Sequence, residues 1–507
     1  MHRTRFSAPA GHRVLTRRQL LCGTAALSVS CLLPGCNSSK STVSTPPTNP
    51  QPIPSLNLTP VSLAITAIEA GSIGPAFAGL SYEKSELYGP LFQASNADLI
   101  GMFKRLGPSI LRIGGNSVDR NVWTPNGLGQ TSGEIAPSDV ASLAAFVKAA
   151  GWQCLYGVNL GGAATGATTP ALASQEVAYV AQQFGSSLLG VEIGNEPDLY
   201  GNSGNYFSGN WSLSKFMTLW GEFRAAILAS TPQVSITGPA DAGNEAAWTV
   251  PFGQDVTKSE ITLLTQHYYR ANGELSTSTA EYLITPDPTL ISNLATLQAG
   301  AQGIGVPYRM SECNSFYNGG SSGVSDGYAS SLWVIDYLFD CAQGGASGVN
   351  FHGGGDGPGY TPIADSNGSV VGARPEFYGI LLFTLAGQGT LYTTQLSAGS
   401  LNVTAYAVKT ASGGLNLIVV NKELSQNLEV TAQLPASASS ANLVVMTQLS
   451  SGATAPNLSA TSGVTIQGAS ANPDGSFSPS APYTLEPDGS RLTCYVPALS
   501  AVLIQIS

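Results

Sequence analysis

The chain has 507 residues, 43% of them apolar, with 58 glycines, 21 Lys+Arg against 31 Asp+Glu and a formal charge of −10. A chain of this length can bury ample apolar core in more than one domain, so disulfide stapling is unnecessary. Five of the bases (Arg3, Arg5, Arg13, Arg17, Arg18) lie in the N-terminal leader, which leaves 16 Lys+Arg against 31 acids and a formal −15. That balance argues against nucleic acid as a partner and against a long, densely sulfated polyanion.

Residues 1–36 read as an export signal, with a basic stretch from Arg13 to Arg18, an apolar run from Leu20 to Leu33, and then Leu33-Pro34-Gly35-Cys36. The run is short of the roughly 20 residues a spanning helix needs. Thr16-Arg17-Arg18-Gln19-Leu20-Leu21 is similar to a twin-arginine signal, and Leu33-Pro34-Gly35-Cys36 resembles a lipoprotein box that would make Cys36 the acylated N-terminus. The expected location is the periplasm or cell surface, with membrane contact only through a lipid on Cys36. Residues 37–60, dominated by Ser, Thr, Pro and Asn, read as a tether. Past Cys36 four cysteines remain, Cys154, Cys313, Cys341 and Cys494, none at a metal-binding spacing, and all are expected as buried free thiols. The segment 61–74 reads as a strand that joins a sheet formed by the far end of the chain.

Residues 75–390 alternate short apolar runs with segments of helical period. The runs are Phe77–Glu83, Ile110–Asn116, Gln153–Leu160, Leu188–Glu196, Val234–Pro239, Ile261–Tyr269, Tyr308–Asn314 and Gly348–His352. Helical candidates are 96–106, 138–150, 172–185, 213–229, 289–302, 326–342 and 375–386, with a weaker one at 242–254 that Pro251 interrupts. Apolar strands alternating with helices describe a parallel sheet covered on its outside, and eight such units close into a (β/α)8 TIM barrel. A doubly wound open sheet is the competing fold. Beyond residue 390 the pattern changes to short alternating runs with turns at Gly413-Gly414, Asp474-Gly475 and Asp488-Gly489. Residues 391–507 are therefore expected as an antiparallel β-sandwich.

Two carboxylates stand where apolar runs break into Gly/Asn-rich loops: Glu196 in Gly194-Asn195-Glu196-Pro197, ending the fourth run, and Glu312 in Ser311-Glu312-Cys313, ending the seventh. In a barrel both run ends reach the same C-terminal mouth, so the two acids can meet over one substrate although 116 positions separate them. Paired carboxylates about 5–5.5 Å apart supply the acid/base and the nucleophile of retaining glycosidic cleavage, and inversion needs roughly 6.5–9.5 Å. Asn195 can offer its amide to a sugar 2-hydroxyl, which makes Glu196 the acid/base and Glu312 the nucleophile. Arg112 and Tyr269, at the ends of the second and sixth runs, are candidates to hold Glu312 ionised. Tyr268 and Tyr269 cannot both face the cleft, because strand residues alternate, whereas His267 shares a face with Tyr269. Glu192 lies deeper on the same face as Glu196 and reads as a partner in a buried ion pair. No metal or other cofactor is expected.

With these motifs in view the sequence resembles the clan A retaining glycosidases, and more narrowly glycoside hydrolase family 79, the β-glucuronidases and heparanases. The resemblance runs from about residue 61 to 507 and rests on Leu80-Ser81-Tyr82-Glu83, Leu111-Arg112-Ile113-Gly114-Gly115-Asn116, Gly194-Asn195-Glu196-Pro197, Gln266-His267-Tyr268-Tyr269 and Ser311-Glu312-Cys313-Asn314-Ser315-Phe316-Tyr317-Asn318-Gly319-Gly320. It implies that Tyr317, Asn318 and Gly319, with Tyr360 after the eighth strand, hold a uronate carboxylate through backbone N–H groups and tyrosine hydroxyls, and that Glu83 contacts sugar hydroxyls. Asn318 departs from the small residue usual in heparanase-like members, and basic clusters for sulfated chains are not evident. The resemblance therefore implies a β-glucuronidase releasing terminal glucuronic acid by double displacement. A clan A enzyme for a neutral sugar, such as a xyloside or arabinofuranoside, and a non-catalytic carbohydrate-binding lipoprotein stand as alternatives.

Overall fold

All eight apolar runs form strands in the computed structural model, which describes residues 49–54, 57–202 and 205–507. The export and acylation reading of residues 1–36, and most of the 37–60 tether, lie outside the described residues. The strands are Ala78–Glu83, Ile110–Gly114, Gln153–Val158, Leu188–Ile193, Ile236–Asp241, Leu263–Asn272, Tyr308–Tyr317 and Val349–Gly353. Neighbours pair in parallel, and the eighth pairs with the first to close the barrel. The expected (β/α)8 class is the observed one.

Local chemistry sets the helices that cover it. Asn96, Thr169, Ser212 and Asp287 each cap a helix by accepting from a backbone N–H one turn in, and Pro137, Pro170, Pro288 and Pro375 stand in first turns, where a missing N–H costs little. The weak 242–254 segment is a π-helical turn, Glu245–Thr249, running into the short helix Val250–Asp255 with Pro251 at its start.

The floor of the barrel is polar and fully wired. Arg309 on the seventh strand donates to Asn350 Oδ1 at 2.6 Å, and Asn350 Nδ2 donates to the carbonyls of Leu80 and Ile110 at 2.9 and 2.8 Å. Between Met310 and Glu312 the seventh strand slips register against the sixth, and a matching slip appears against the eighth. A bulge of this kind re-aims side chains. Arg309 and Glu312, three positions apart, consequently both turn inward, which strict alternation forbids.

The other domain is one ten-stranded sheet, mostly antiparallel. The strand Thr59–Ile73 sits inside it, antiparallel to Gly389–Ser397 and parallel to Leu428–Gln433. The hydrogen-bonded path is continuous, and one face encloses a core of its own that includes Leu63, Leu417, Val430, Leu443 and Ile504. The other face packs on the barrel helices Tyr328–Gln343 and Pro375–Ala386, where Phe339 and Tyr406 stack at 4.3 Å. Burial on both faces explains the unbroken apolar run Leu417–Val420. The end of the expected tether is held rather than free. Gln51 exchanges hydrogen bonds with the Tyr495 backbone at 2.7 and 3.0 Å, and Asn49 O accepts from Thr484 N at 2.7 Å.

Candidate active site

Glu196 is mounted rigidly. Its backbone adopts a left-handed conformation with φ of 51°, its N–H donates to Ala240 O on the neighbouring strand at 2.8 Å, and Gly194 N donates to Val158 O on the other side at 2.8 Å. A non-glycine residue held in that region marks a position that the surrounding structure over-determines. Tyr200 reinforces the turn, since its hydroxyl donates to Asp119 Oδ2 at 2.6 Å and accepts from Asn195 N at 3.2 Å.

Glu312 stands opposite, almost wholly buried. Its Oε2 accepts from Arg112 Nη1 at 2.6 Å and its Oε1 from the Tyr269 hydroxyl at 2.7 Å. One oxygen of Glu312, one oxygen of Glu196 and a ring nitrogen of His267 all lie within 4.8 Å of one another. The two glutamates named from the sequence therefore converge on one point at the barrel mouth.

Arg112 organises the centre. Besides Glu312 it donates from Nε to Glu192 Oε2 at 2.7 Å and from Nη2 to Asn195 Oδ1 at 2.9 Å. Because Arg has no acceptor, the Asn195 oxygen must face it, which leaves the Asn195 amide N–H groups for a substrate hydroxyl. Glu192, fully buried, sits in an ion pair with Arg112 below the mouth.

The two His residues outside the leader, His267 and His352, both border the glutamates. His267 Nδ1 lies 3.1 Å from Glu196 Oε1, and its Nε2 is buried without a partner among the described residues. His352 lies 3.7 Å from Glu312 Oε2 through Nδ1 and 3.7 Å from Glu83 Oε1 through Nε2, with Ser81 Oγ 3.1 Å from Nδ1. Burial alone pushes the Glu312 carboxyl up, but His352, His267, Arg112 and the Tyr269 hydroxyl together hold it well below the usual carboxylate range. Burial likewise pulls the His352 imidazole down, and the charges of Glu312 and Glu83 more than reverse this, so its pKa is raised. Glu83 is lowered against the pull of burial by His352 and Ser117. The sequence reading did not single out His352. The available signal was its place as an inward residue near the C-terminal end of the eighth strand.

The loops expected to hold a carboxylate are latched together. Tyr360 N donates to Gly319 O at 3.3 Å, and the Tyr269 and Tyr360 rings lie 5.8 Å apart. Asn318, Gly319 and Gly320 all have positive φ, of 61°, 80° and 88°. Asn318 and Gly319 N–H have no protein acceptor among the described residues. Consecutive N–H groups in such a turn form an anion-binding concavity. The Asn318 side chain turns elsewhere, to Asn272 Oδ1 at 3.1 Å, so only its backbone is available here. Tyr317 is exposed at the rim. Glu83 is largely engaged, accepting from the N–H groups of Asn116 and Ser117 at 3.1 and 2.8 Å and from Ser117 Oγ at 2.5 Å. Of the sequence-named residues, Glu196, Tyr269, Glu312, Tyr317, Asn318, Gly319 and Tyr360 line one cleft of about 660 Å³. Arg112 donates to Glu312 at its edge and, from Nη2, to Asn195 Oδ1.

Glu196, His267 and Glu312 are also the ligand types a divalent cation uses. The Arg112 guanidinium 2.6 Å from Glu312 opposes a second cation at that carboxylate, so the donor set fits proton transfer and nucleophilic attack better than metal binding.

No protein-family profile matches the chain. It is 24% identical over 353 residues to a β-glucuronidase of Aspergillus niger, a match spanning 61% of this chain and 63% of that relative. Among solved structures it is similar to a 4-O-α-L-rhamnosyl-β-D-glucuronidase of Fusarium oxysporum, with a TM-score of 0.68 at 18% identity, covering 87% of this chain and 99% of that one. An α-L-arabinofuranosidase of Thermotoga maritima follows with a TM-score of 0.63 at 15% identity, over 88% and 99% of the two chains. By sequence the chain is thus similar to a β-glucuronidase, and the structural likenesses show its fold: a closed parallel barrel joined to a mostly antiparallel sheet domain.

Proposed function

We propose that the protein is a retaining β-glucuronidase that releases terminal β-D-glucuronic acid by double displacement. The observation that carries this is the approach of one Glu196 oxygen and one Glu312 oxygen to within 4.8 Å, which supports direct attack over the wider gap that inversion uses. Glu196 donates its proton to the leaving oxygen while Glu312 attacks the anomeric carbon, breaking the glycosidic bond and forming a glycosyl ester. Glu196 then takes a proton from water as the water displaces Glu312, which leaves as a carboxylate. Arg112 and Tyr269 keep Glu312 ionised and aimed, and Asn195 grips the 2-hydroxyl. The uronate lies against the Asn318 and Gly319 N–H groups with the Tyr317 and Tyr360 hydroxyls. Similarity to the Aspergillus β-glucuronidase supports the choice of sugar. Export through the leader, and a lipid at Cys36, belong to the same proposal and are tested by labelling with a fatty-acid analogue in cells expressing wild type or Cys36→Ala.

The test of the activity is a comparison of aryl β-D-glucuronide with the matching glucoside, xyloside and arabinofuranoside. The glucuronide should be cleaved with retention and by a large factor over the others. Glu312→Ala should abolish turnover, and Glu196→Ala should keep measurable turnover only for highly activated leaving groups. Preference for a neutral sugar, or activity surviving Glu312→Ala, overturns the reading.

A further inference from the structure

The cleft extends past the two glutamates. Going round the barrel, the fourth strand leads to Glu196 and Leu199, the fifth to Ala242 and Gly243, and the sixth to the helix that carries Thr289 and Asn293. The seventh and eighth lead to Tyr317–Gly319 and Tyr360. A general acid must reach the leaving oxygen, so the leaving group lies on the Glu196 side, away from the carboxylate loops.

We infer that this second end, lined by Leu199, Ala242, Gly243, Thr289 and Asn293, receives the leaving group, and that it accepts an uncharged sugar or phenol and rejects one bearing carboxylate or sulfate. The inference rests on the glucuronidase reading and adds what stands on the other side of the bond. Leu199, Ala242 and Gly243 offer a small apolar wall, and a Cβ at Gly243 would meet nothing within 4 Å. Thr289 and Asn293, four apart on the helix Pro288–Ile304, put a hydroxyl and an amide on one face toward the cavity. These groups hydrogen-bond neutral hydroxyls.

The charges behind that wall are acidic. Asp198 accepts from Ala242 N at 3.0 Å and Asn244 Nδ2 at 2.6 Å. Burial pushes the Glu245 carboxyl up, and Asp287, which accepts from the Tyr268 hydroxyl at 2.6 Å, lies 3.9 Å from Arg270 Nε, so Asp198 is the unmatched charge. Asp241 adds no further charge, because burial and then Asp198 push its carboxyl up. The one Lys or Arg among the described residues lining the cleft is Arg270, whose charge is matched by Asp287 at 3.9 Å and whose terminal nitrogens turn to its own loop. Its Nη1 donates to Leu283 O and Thr285 O at 2.9 and 2.7 Å, and its Nη2 to Thr285 Oγ1 and Pro286 O at 2.8 and 3.0 Å. With Arg270 already matched by Asp287, an anion entering here loses water and meets the charge of Asp198.

The test uses three aryl β-D-glucuronides whose phenols match in acidity: one neutral, one sulfonated, one carrying a quaternary ammonium. At low ionic strength kcat/KM for the sulfonate should be about five- to tenfold below the neutral compound and the ammonium compound should not be penalised, with the gap narrowing in high salt. Thr289→Lys, on the exposed first turn of its helix, should shrink or reverse the sulfonate penalty. Equal rates for all three, or a ratio that Thr289→Lys does not move, overturn the inference while leaving the glucuronidase reading intact. Failure to cleave any of the three while a neutral-sugar glycoside is cleaved removes both.

Discussion

Tyr269→Phe removes one atom from the centre of the site and should separate its two chemical steps. The hydroxyl donates to Glu312 Oε1 at 2.7 Å, and the ring is half-buried beside Tyr360, so deleting the oxygen leaves the packing in place. A hydrogen bond to a charged group contributes about 1.5–3 kcal/mol, equivalent to roughly 10- to 150-fold in rate if fully expressed. How it is expressed follows the charge on Glu312. During attack the carboxylate loses its charge and this hydrogen bond weakens, so the donor helps little. When water displaces the ester the charge returns, and the donor stabilises the departing carboxylate. Tyr269→Phe should therefore lower kcat by about 10- to 100-fold for an activated aryl glucuronide and lower kcat/KM much less. The glycosyl-enzyme should accumulate, visible as a pre-steady-state burst and by intact-protein mass spectrometry. An unchanged kcat, or a kcat/KM that falls as far as kcat with no burst, would refute this account of Tyr269.

Tyr317→Phe should reduce the ratio of glucuronide to glucoside kcat/KM by about tenfold, since one hydrogen bond to a carboxylate is lost; parallel kinetics on the two substrates check it. For His352 the pKa is raised in the folded protein from its ordinary value of 6.5, so its contribution to stability is present below about 6.5 and disappears as pH rises through the raised value. His352→Gln should then destabilise the protein more at about pH 6 than at about pH 9 in urea titrations, and an equal effect at both would count against the charge pairing with Glu312 and Glu83. Beneath the mouth, Lys84 Nζ lies 2.6 Å from Glu176 Oε1 and 2.9 Å from Gly157 O, all buried. Lys84→Met strands that carboxylate and should cost about 3–5 kcal/mol by chemical denaturation.

Much of this was legible because barrel chemistry sits at strand ends, and strand ends are marked by the change from apolar residues to Gly, Asn and Pro. Glu196 and Glu312 could be named for that reason, and Arg112 and Tyr269 followed from the count of strands. Two features were not legible, each for a physical reason. His352 makes its contacts with Glu83 and Glu312 across the closure between the seventh, eighth and first strands, and no local pattern reports a contact between residues 83 and 352. The tether's last residues looked free because polar segments bury little, but backbone partners at Tyr495 and Thr484 need no apolar side chain.

The inward aim of Glu312 is the most instructive of these cases. Alternation counted back from Glu312 puts Met310 inside and Arg309 outside, whereas Arg309 is wired to Asn350 in the barrel floor. The slip between Met310 and Glu312 resolves the conflict by spending one residue, Ser311, whose hydroxyl is left buried without a partner among the described residues. A buried unsatisfied hydroxyl costs about 1–3 kcal/mol, and a strand selected only for stability has no reason to bear it. The bulge lets one strand, with this spacing, supply both the Arg309 floor and the proposed nucleophile Glu312, whose oxygens reach Arg112 and Tyr269. Deleting Ser311 puts Arg309 and Glu312 two positions apart, so plain alternation holds both inward without a bulge, and the variant should fold and retain turnover. Lost turnover in a folded deletion variant would mean that the slip does more for Glu312 than absorb one residue.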